Sequence, residues 1–367
     1  MKSAFFKLLG LVFSFALGNF VGIVAASPDY GVIVGLLFVG LNMLSKLSVR
    51  PTGALYSSLD ITELAESLGD YHREHRDELS AEVLLDEDFT TDMEVMDDVT
   101  DEVPLPGLEV GEMLQPGADP TFKPKENALK FKARILKVRD CKVDLLLVPK
   151  LLEKTWLGKM KKPSDPFDMP FEKFIIDYIH GKIKEELRLL AIYKGVYNVE
   201  GTGPKDTMQG YLKFVADAIT GGEIAPVATG VITASNVVDK LESVYDALSE
   251  AQKGKPTIMK VSPTLYDWYS RKYRSDFGSN QDYKAMQVLR RPLDGTLCDL
   301  VREPGLAGSQ RVLCTPVENF VYGVDSASGY NMDIQKFDRQ LKILIDLKAG
   351  VNFKQVSNRS LAVNDQQ

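Results

Sequence analysis

Only a few places in this chain bring together residue types that could do chemistry. Gly201-Thr-Gly-Pro-Lys-Asp-Thr207 has the glycine and lysine content of a phosphate cradle. It lacks the G-x-x-x-x-G-K-[ST] spacing, and Pro204 removes one of the backbone amides that would hold phosphate. Asp276-Phe-Gly278 spells the metal-binding tripeptide of protein kinases, with no H-R-D loop or V-A-I-K strand to accompany it. His72 and His75 lie about one helical turn apart and could share a metal with Glu78 or Asp86, although the pattern is not H-E-x-x-H and a solvated helix face is the simpler account. The acid pairs Asp97-Asp98 and Asp101-Glu102 could hold a divalent cation weakly, or simply belong to an acidic arm. His180 is the remaining histidine. With 3 histidines, no G-x-S-x-G and no cysteine beside a base, acyl transfer and hydrolysis have little to build on. No catalytic residue, cofactor site or metal site is expected.

The elements that would have to position such residues begin with an unusual N-terminus. Leu8 to Ala26 carries no charge, and after Ser27-Pro-Asp29 a second uncharged run reaches Ser45. As helices these runs span roughly 28 Å and roughly 24 Å, close to a bilayer core of about 30 Å. Lys2 and Lys7 before them and Lys46 and Arg50 after them would keep both ends in the cytoplasm. Three readings fit: a membrane hairpin through 8–45, a leader that is removed or lies upstream of a working start at Met43, and a hairpin buried against protein.

Charge is segregated along the chain, so the formal charge of -7 describes no single part. The first 58 residues sum to about +3, residues 60–119 to about -18 and the remainder to about +8. The length of 367 residues with 44% hydrophobic content supports a large core, as two domains or one domain with long extensions. Cys141, Cys298 and Cys314 show no C-x-x-C spacing and read as reduced, buried thiols; Cys298 and Cys314 would face each other only if Asp299 to Leu313 formed a hairpin.

Leu59 to Leu85 reads as one exposed amphipathic helix, with Ile61, Leu64, Ala65, Leu68, Leu79 and Val83 at helical spacing. After Asp86 the chain is acidic and proline-punctuated, an arm that must lie on something else, most economically a neighbouring subunit. From Leu129 the period becomes two. Leu129, Phe131, Ala133 and Ile135 alternate with Lys130, Lys132 and Arg134, and Lys137 and Arg139 join the basic face only through a bulge near Leu136. Val143 to Val148 would be the returning strand of a basic hairpin. The opposite fields suggest that Lys130, Lys132, Arg134, Lys137 and Arg139 of one copy meet Asp97, Asp98, Asp101 and Glu102 of another, against the alternative of two separately solvated faces.

Asp168-Met-Pro170 should cap a long helix from Phe171, whose stripe runs through Phe174, Ile175, Ile179, Ile183, Leu187 and Ala191 to a stop at Gly195. Asn236 can cap a helix over Val237 to Leu248, Thr257 to Val261 reads as a buried strand, and Ser262-Pro263 starts another helix to Phe277. The class is therefore α+β.

The closing block carries the family signal: Arg302-Glu-Pro-Gly-Leu-Ala-Gly-Ser-Gln-Arg311, Thr315-Pro-Val-Glu-Asn319, Val321-Tyr-Gly-Val-Asp325, Lys348-Ala-Gly-Val351 and Ala362-Val-Asn-Asp-Gln366, with strands at Arg311 to Thr315, Phe320 to Val324 and Lys342 to Leu347. In order and spacing it resembles the end of tailed-bacteriophage major capsid proteins, of the Bacteroidetes phage and prophage type. The resemblance runs over residues 60 to 367 and does not extend to the first 50. It implies a Hong Kong 97-type capsid fold preceded by the apolar helical hairpin or leader at 1–50. The parts would be an acidic N-terminal helix and N-arm (51–125), an extension-loop hairpin (126–168) continuing through Trp156-Leu-Gly158 and Lys159 to Pro163, and a spine helix opening the peripheral domain (169–210). An axial domain (211–310) and strands closing the peripheral domain (311–367) would follow. Implied partners are further copies in pentamers and hexamers, portal and other capsid proteins, and packaged double-stranded DNA held nonspecifically; the apolar runs, where the sequence departs from the family, add a membrane through 8–45. Implied locations are the virion and, during assembly, the host cytoplasm. The rival readings are an encapsulin-like compartment shell and a membrane-anchored cytoplasmic scaffold protein.

Overall fold

In the computed structural model, which describes residues 61–110, 113–115, 125, 129–131, 133–148, 171–278 and 290–366, the apolar residues after Asp60 form two helices. These are α1 (Ile61–Glu74) and α2 (Arg76–Leu84). The single helix expected from their spacing is interrupted at His75, where φ is -118°. Leu64, Leu68, Leu79, Val83 and Leu84 all enter the main core, so these helices are part of the subunit and not an exposed attachment. A short helix α3 (Glu87–Thr90) follows, its first turn capped by Asp86 on the Asp88 amide at 2.9 Å.

The remaining elements are β1 (Glu94–Met96), β2 (Glu102–Leu105), β3 (Leu108–Val110), β4 (Leu129–Phe131), β5 (Arg134–Lys137), β6 (Arg139–Leu147), α4 (Phe171–Glu186), α5 (Tyr211–Thr220), α6 (Val237–Asp246), α7 (Glu250–Lys253), β7 (Thr257–Val261), α8 (Pro263–Phe277), β8 (Arg290–Pro292), β9 (Cys298–Arg302), β10 (Leu313–Pro316), β11 (Phe320–Val324), β12 (Asn331–Phe337), β13 (Gln340–Phe353) and β14 (Ala362–Val363). The class is α+β. Residues 1–50, Asp168 to Pro170 and Trp156 to Pro163 lie outside the described residues. Among the described residues no helix is long and apolar enough to cross a membrane.

The main sheet is organised by β13. One edge of β13 pairs with β6 and the other with β12 and then β11, end to end, while β1 adds in parallel to β11. The spine helix α4, continued by a π turn over Leu187–Ala191, lays Phe174, Ile175, Ile179, Ile183 and Leu187 into the core beside this sheet. A second sheet has the order β14-β10-β7-β9-β8, with β7 and β9 parallel. Strand β7 is buried at every residue, and Val238, Leu241, Leu265 and Tyr269 of α6 and α8 share its separate core. Ser262 caps α8 through the Leu265 amide at 3.5 Å, as expected. Asn236 does not cap α6; its Oδ1 accepts instead from the Thr233 amide at 2.7 Å.

One expectation about strand pairing fails, and the condition set for pairing Cys298 with Cys314 is not met, while all three thiols are buried and free as expected. Val143 to Val148 does not return against the basic strand: although Asp140 favours turns, the chain runs straight on through Asp140-Cys-Lys142 as β6, held extended by continuous pairing with β13 from Arg139 to Leu147. Cys298 and Cys314 do not flank a hairpin either: they lie on β9 and β10, either side of β7. Two interstrand spacings put their backbones about 9 to 10 Å apart, beyond disulfide reach, and the thiols are free at 4.0 Å.

Candidate assembly surface

The acidic and basic segments meet within one chain. Strand β2 pairs antiparallel with β5 and β3 with β4, so that 102–110 and 129–137 form a two-stranded ribbon. Glu102 and Lys137 are register partners and their side chains join at 3.0 Å. Arg134 reaches Glu223 at 3.1 Å and Asn352 at 3.4 Å, and Arg139 stacks over the Tyr197 ring at 4.0 Å. Lys130 stands opposite Glu109 in β4, and Lys132 lies outside the described residues. Asp97 accepts from the Ser326 amide and hydroxyl at 3.0 and 2.5 Å. Partial burial pushes its carboxyl up, but these bonds and one from the Asp98 amide hold it below the ordinary carboxylate range. Asp98 is exposed at φ 60°, and the Asp101 carbonyl accepts from the Val138 amide at 2.8 Å.

There is consequently no single basic face. Leu136 and Val138 point into a small core with Val99, Leu105 and Val321, which turns Ile135 and Lys137 outward and leaves Arg134 on the opposite side from Lys137. Burial of Leu136 decides the phase of the strand, overriding the alternation read from Leu129 to Ile135. The acidic arm likewise lies on its own chain, through β1 on β11 and β2 on β5. A tethered partner outcompetes a free one at ordinary concentrations because closing the intervening loop adds only logarithmically to the cost of pairing.

The base of this ribbon crosses the main sheet where the closing block supplies two glycines. Gly323 and Gly350 are register partners. A Cβ at Gly350 would lie 2.2 Å from the Lys137 carbonyl oxygen, and one at Gly323 would lie 2.6 Å from Leu136 Cδ2. Only residues without a side chain let the ribbon approach this closely. The other marked residues are buried polar groups with their bonds made. Asn319 donates to Thr315 Oγ1 at 2.8 Å and the Gln355 carbonyl at 2.9 Å, and accepts from the Gln355 amide at 2.7 Å. Asn364 accepts from the Val312 amide at 2.9 Å and donates to the Gln310 carbonyl at 2.8 Å, while Arg311 donates to the Asn364 carbonyl. These bonds stitch β10, β13 and the C-terminal tail into one body.

A buried polar network between the two cores was not legible as a motif. Lys260, on the central strand β7 and fully buried, donates to Tyr193 Oη at 3.0 Å and lies over the Phe320 ring at 4.4 Å. Tyr193 in turn bonds Glu303, which also takes the Gly305 amide at 3.1 Å and the Arg188 guanidinium at 3.4 Å. Burial lowers the Lys260 amine to about 8, with Glu303 and Asp92 opposing that shift. Gly305 is required here, since a Cβ would sit 2.2 Å from the Tyr193 ring. On the core-facing side of the spine helix, buried His180 meets Tyr330 Oη at 2.8 Å and faces Glu82 at 3.7 Å; burial lowers it to about 4.

The sequence's chemical candidates take structural roles. The Gly203 amide is occupied by the chain's own Asp206 carboxylate at 2.9 Å, so the glycine loop is folded around an internal anion. Asp276 pairs with Lys272 at 2.9 Å. His72 is buried beside the Tyr330 ring, whereas His75 turns to Glu78 at 3.1 Å, so the two imidazoles do not converge.

No family model and no curated protein matches this sequence. Among solved structures, the chain is similar to one in the satellite phage P4 procapsid including size determination (Sid) protein, at 13% identity and TM-score 0.48 over 82% of this chain and 98% of that chain. It is also similar to the capsid of the native GTA particle (12% identity, TM-score 0.47, 75% of this chain and 88% of that one) and to the capsid of Myoviridae phage XM1 (12%, 0.46, 74% and 90%).

Proposed function

We propose that this chain is the repeating structural subunit of a phage-type icosahedral capsid, assembling through pentamers and hexamers into a shell around double-stranded DNA. The observation that carries the reading is the ribbon's outer end. Between β3 and β4, Met113 and Leu114 are 56% and 93% exposed. Adjacent exposed apolar side chains are poorly placed in water and well placed for the surface of another copy. The stitched closing block supports the same reading, because a subunit that must repeat around a closed shell needs fixed angles between its parts. The main core, with spine helix and β13, then serves as the peripheral domain, and the second core around β7 as the axial domain. The role is structural and not catalytic.

Portal and other capsid proteins are further partners on this proposal, and the net basic charge from Pro120 onward suits nonspecific contact with packaged phosphate, weakened by salt. The location is the virion, reached from the host cytoplasm. Electron microscopy and sedimentation of the purified full chain test the proposal. Closed particles of several megadaltons are expected, and a species of a few subunits at all concentrations would overturn it. Absorbance at 260 nm then separates a DNA-filled shell from one holding protein cargo.

A further inference from the structure

A groove of about 830 Å³ runs between α1 and β12. Its floor includes Ala65, Met332 and Ile334, and Gly69 leaves it open, since a Cβ there would meet nothing within 4 Å. Glu66 and Asp333 stand on its rim beside Arg73, Arg76 and Lys336, which are engaged by Asp70, the Tyr330 carbonyl and Thr62 Oγ1 respectively. His72, 5% exposed, also lines it, with its Nε2 buried behind that wall. Beyond the groove, β12 ends in Phe337, which is 53% exposed, and turns through Asp338 at φ 52° and exposed Arg339 into β13.

We infer that the Phe337-to-Arg339 tip of a second copy docks in this groove, an interface resting on the shell reading above. The tip cannot enter its own groove. Phe337 is tied to Gln340 by the hairpin register, and strand alternation turns it to the face opposite Met332 and Ile334. In a second copy the same tip brings an aromatic ring to an apolar floor and the Arg339 cation to the Glu66 carboxylate. Tip and groove are adjacent on one subunit, so repeating the contact around a symmetry axis uses both on every copy.

The test uses the full chain. In a Gly69→Cys, Gln340→Cys double variant, which keeps Phe337 and Arg339 and whose native thiols are all buried, mild oxidation should give a ladder of linked chains on a non-reducing gel, joined between positions 69 and 340. Each single variant should stay unlinked. Separately, Glu66→Arg and Arg339→Glu should each raise the concentration needed for assembly about tenfold, and their combination should restore it. Shells that form without the 69–340 link overturn this interface and leave the shell reading standing. A link without shells does the reverse, and neither link nor shells overturns both.

Discussion

In the ribbon, Lys137 and Glu102 meet at 3.0 Å with side chains 44% and 46% exposed, whereas in the closing block Asn319 and Asn364 are buried, with both ends of each amide hydrogen-bonded, mostly to backbone. An exposed ion pair contributes roughly 0 to 1 kcal/mol and is exchanged easily. A buried amide that loses its partners costs about 1 to 3 kcal/mol for each group stranded. The ribbon can therefore be re-paired against another surface with little loss, while the closing block holds its geometry whatever the surroundings. A subunit that must reach neighbours without changing shape needs both kinds of region.

The sharpest way to break this contrast is Gly350→Val. The new side chain strikes the Lys137 carbonyl, where only backbone could yield, and a loss above about 4 kcal/mol or an insoluble chain is expected in denaturant unfolding. Next comes Glu303→Ala, which strands Arg188 and Lys260 in the interior and should cost about 3 kcal/mol. Lys260→Met should cost much less in the same measurement, since it removes the charge instead of orphaning it.

A third test is by pH. His180 has an ordinary value of 6.5 and is held near 4 in the folded chain, so the folded state resists the proton that the unfolded state takes up. The stabilisation is fully present above pH 6.5 and is lost as pH falls from there to about 4, up to about 3 kcal/mol in total. Tm measured across that window should drop, and His180→Gln should flatten the drop. Glu82, Lys184, His72 and Tyr330 face the imidazole and tune the midpoint. The smallest effect belongs to the ribbon: Lys137→Ala should change stability by about 0.5 kcal/mol or less, and a change as large as that of Glu303→Ala would erase the contrast.

Much of the fold was legible before any coordinates. The stripe from Phe174 to Leu187, the buried strand Thr257–Val261, the Ser262 cap and strand β11 all follow from periodicity and local chemistry. The candidate surface was only half legible. The charges of Glu102 and Lys137 announced a pairing, but nothing local says whether two complementary strands meet in one chain or between two. The phase of β5 was misread for a related reason, since Leu136 and Ile135 are equally apolar and the small core that buries only one of them is assembled from Val99, Leu105 and Val321.

By itself, the amino-acid order determined the element types, the segregation of charge and the absence of a recognisable catalytic constellation among its motifs. These depend on spacing over a few residues, where backbone geometry leaves few options. Only the tertiary structure decided that Gly323 and Gly350 stand opposite each other beneath the ribbon, and that Lys260, Tyr193 and Glu303 share one buried network. Close approach and burial are properties of surfaces brought together across hundreds of residues, and no local pattern encodes which surface will arrive.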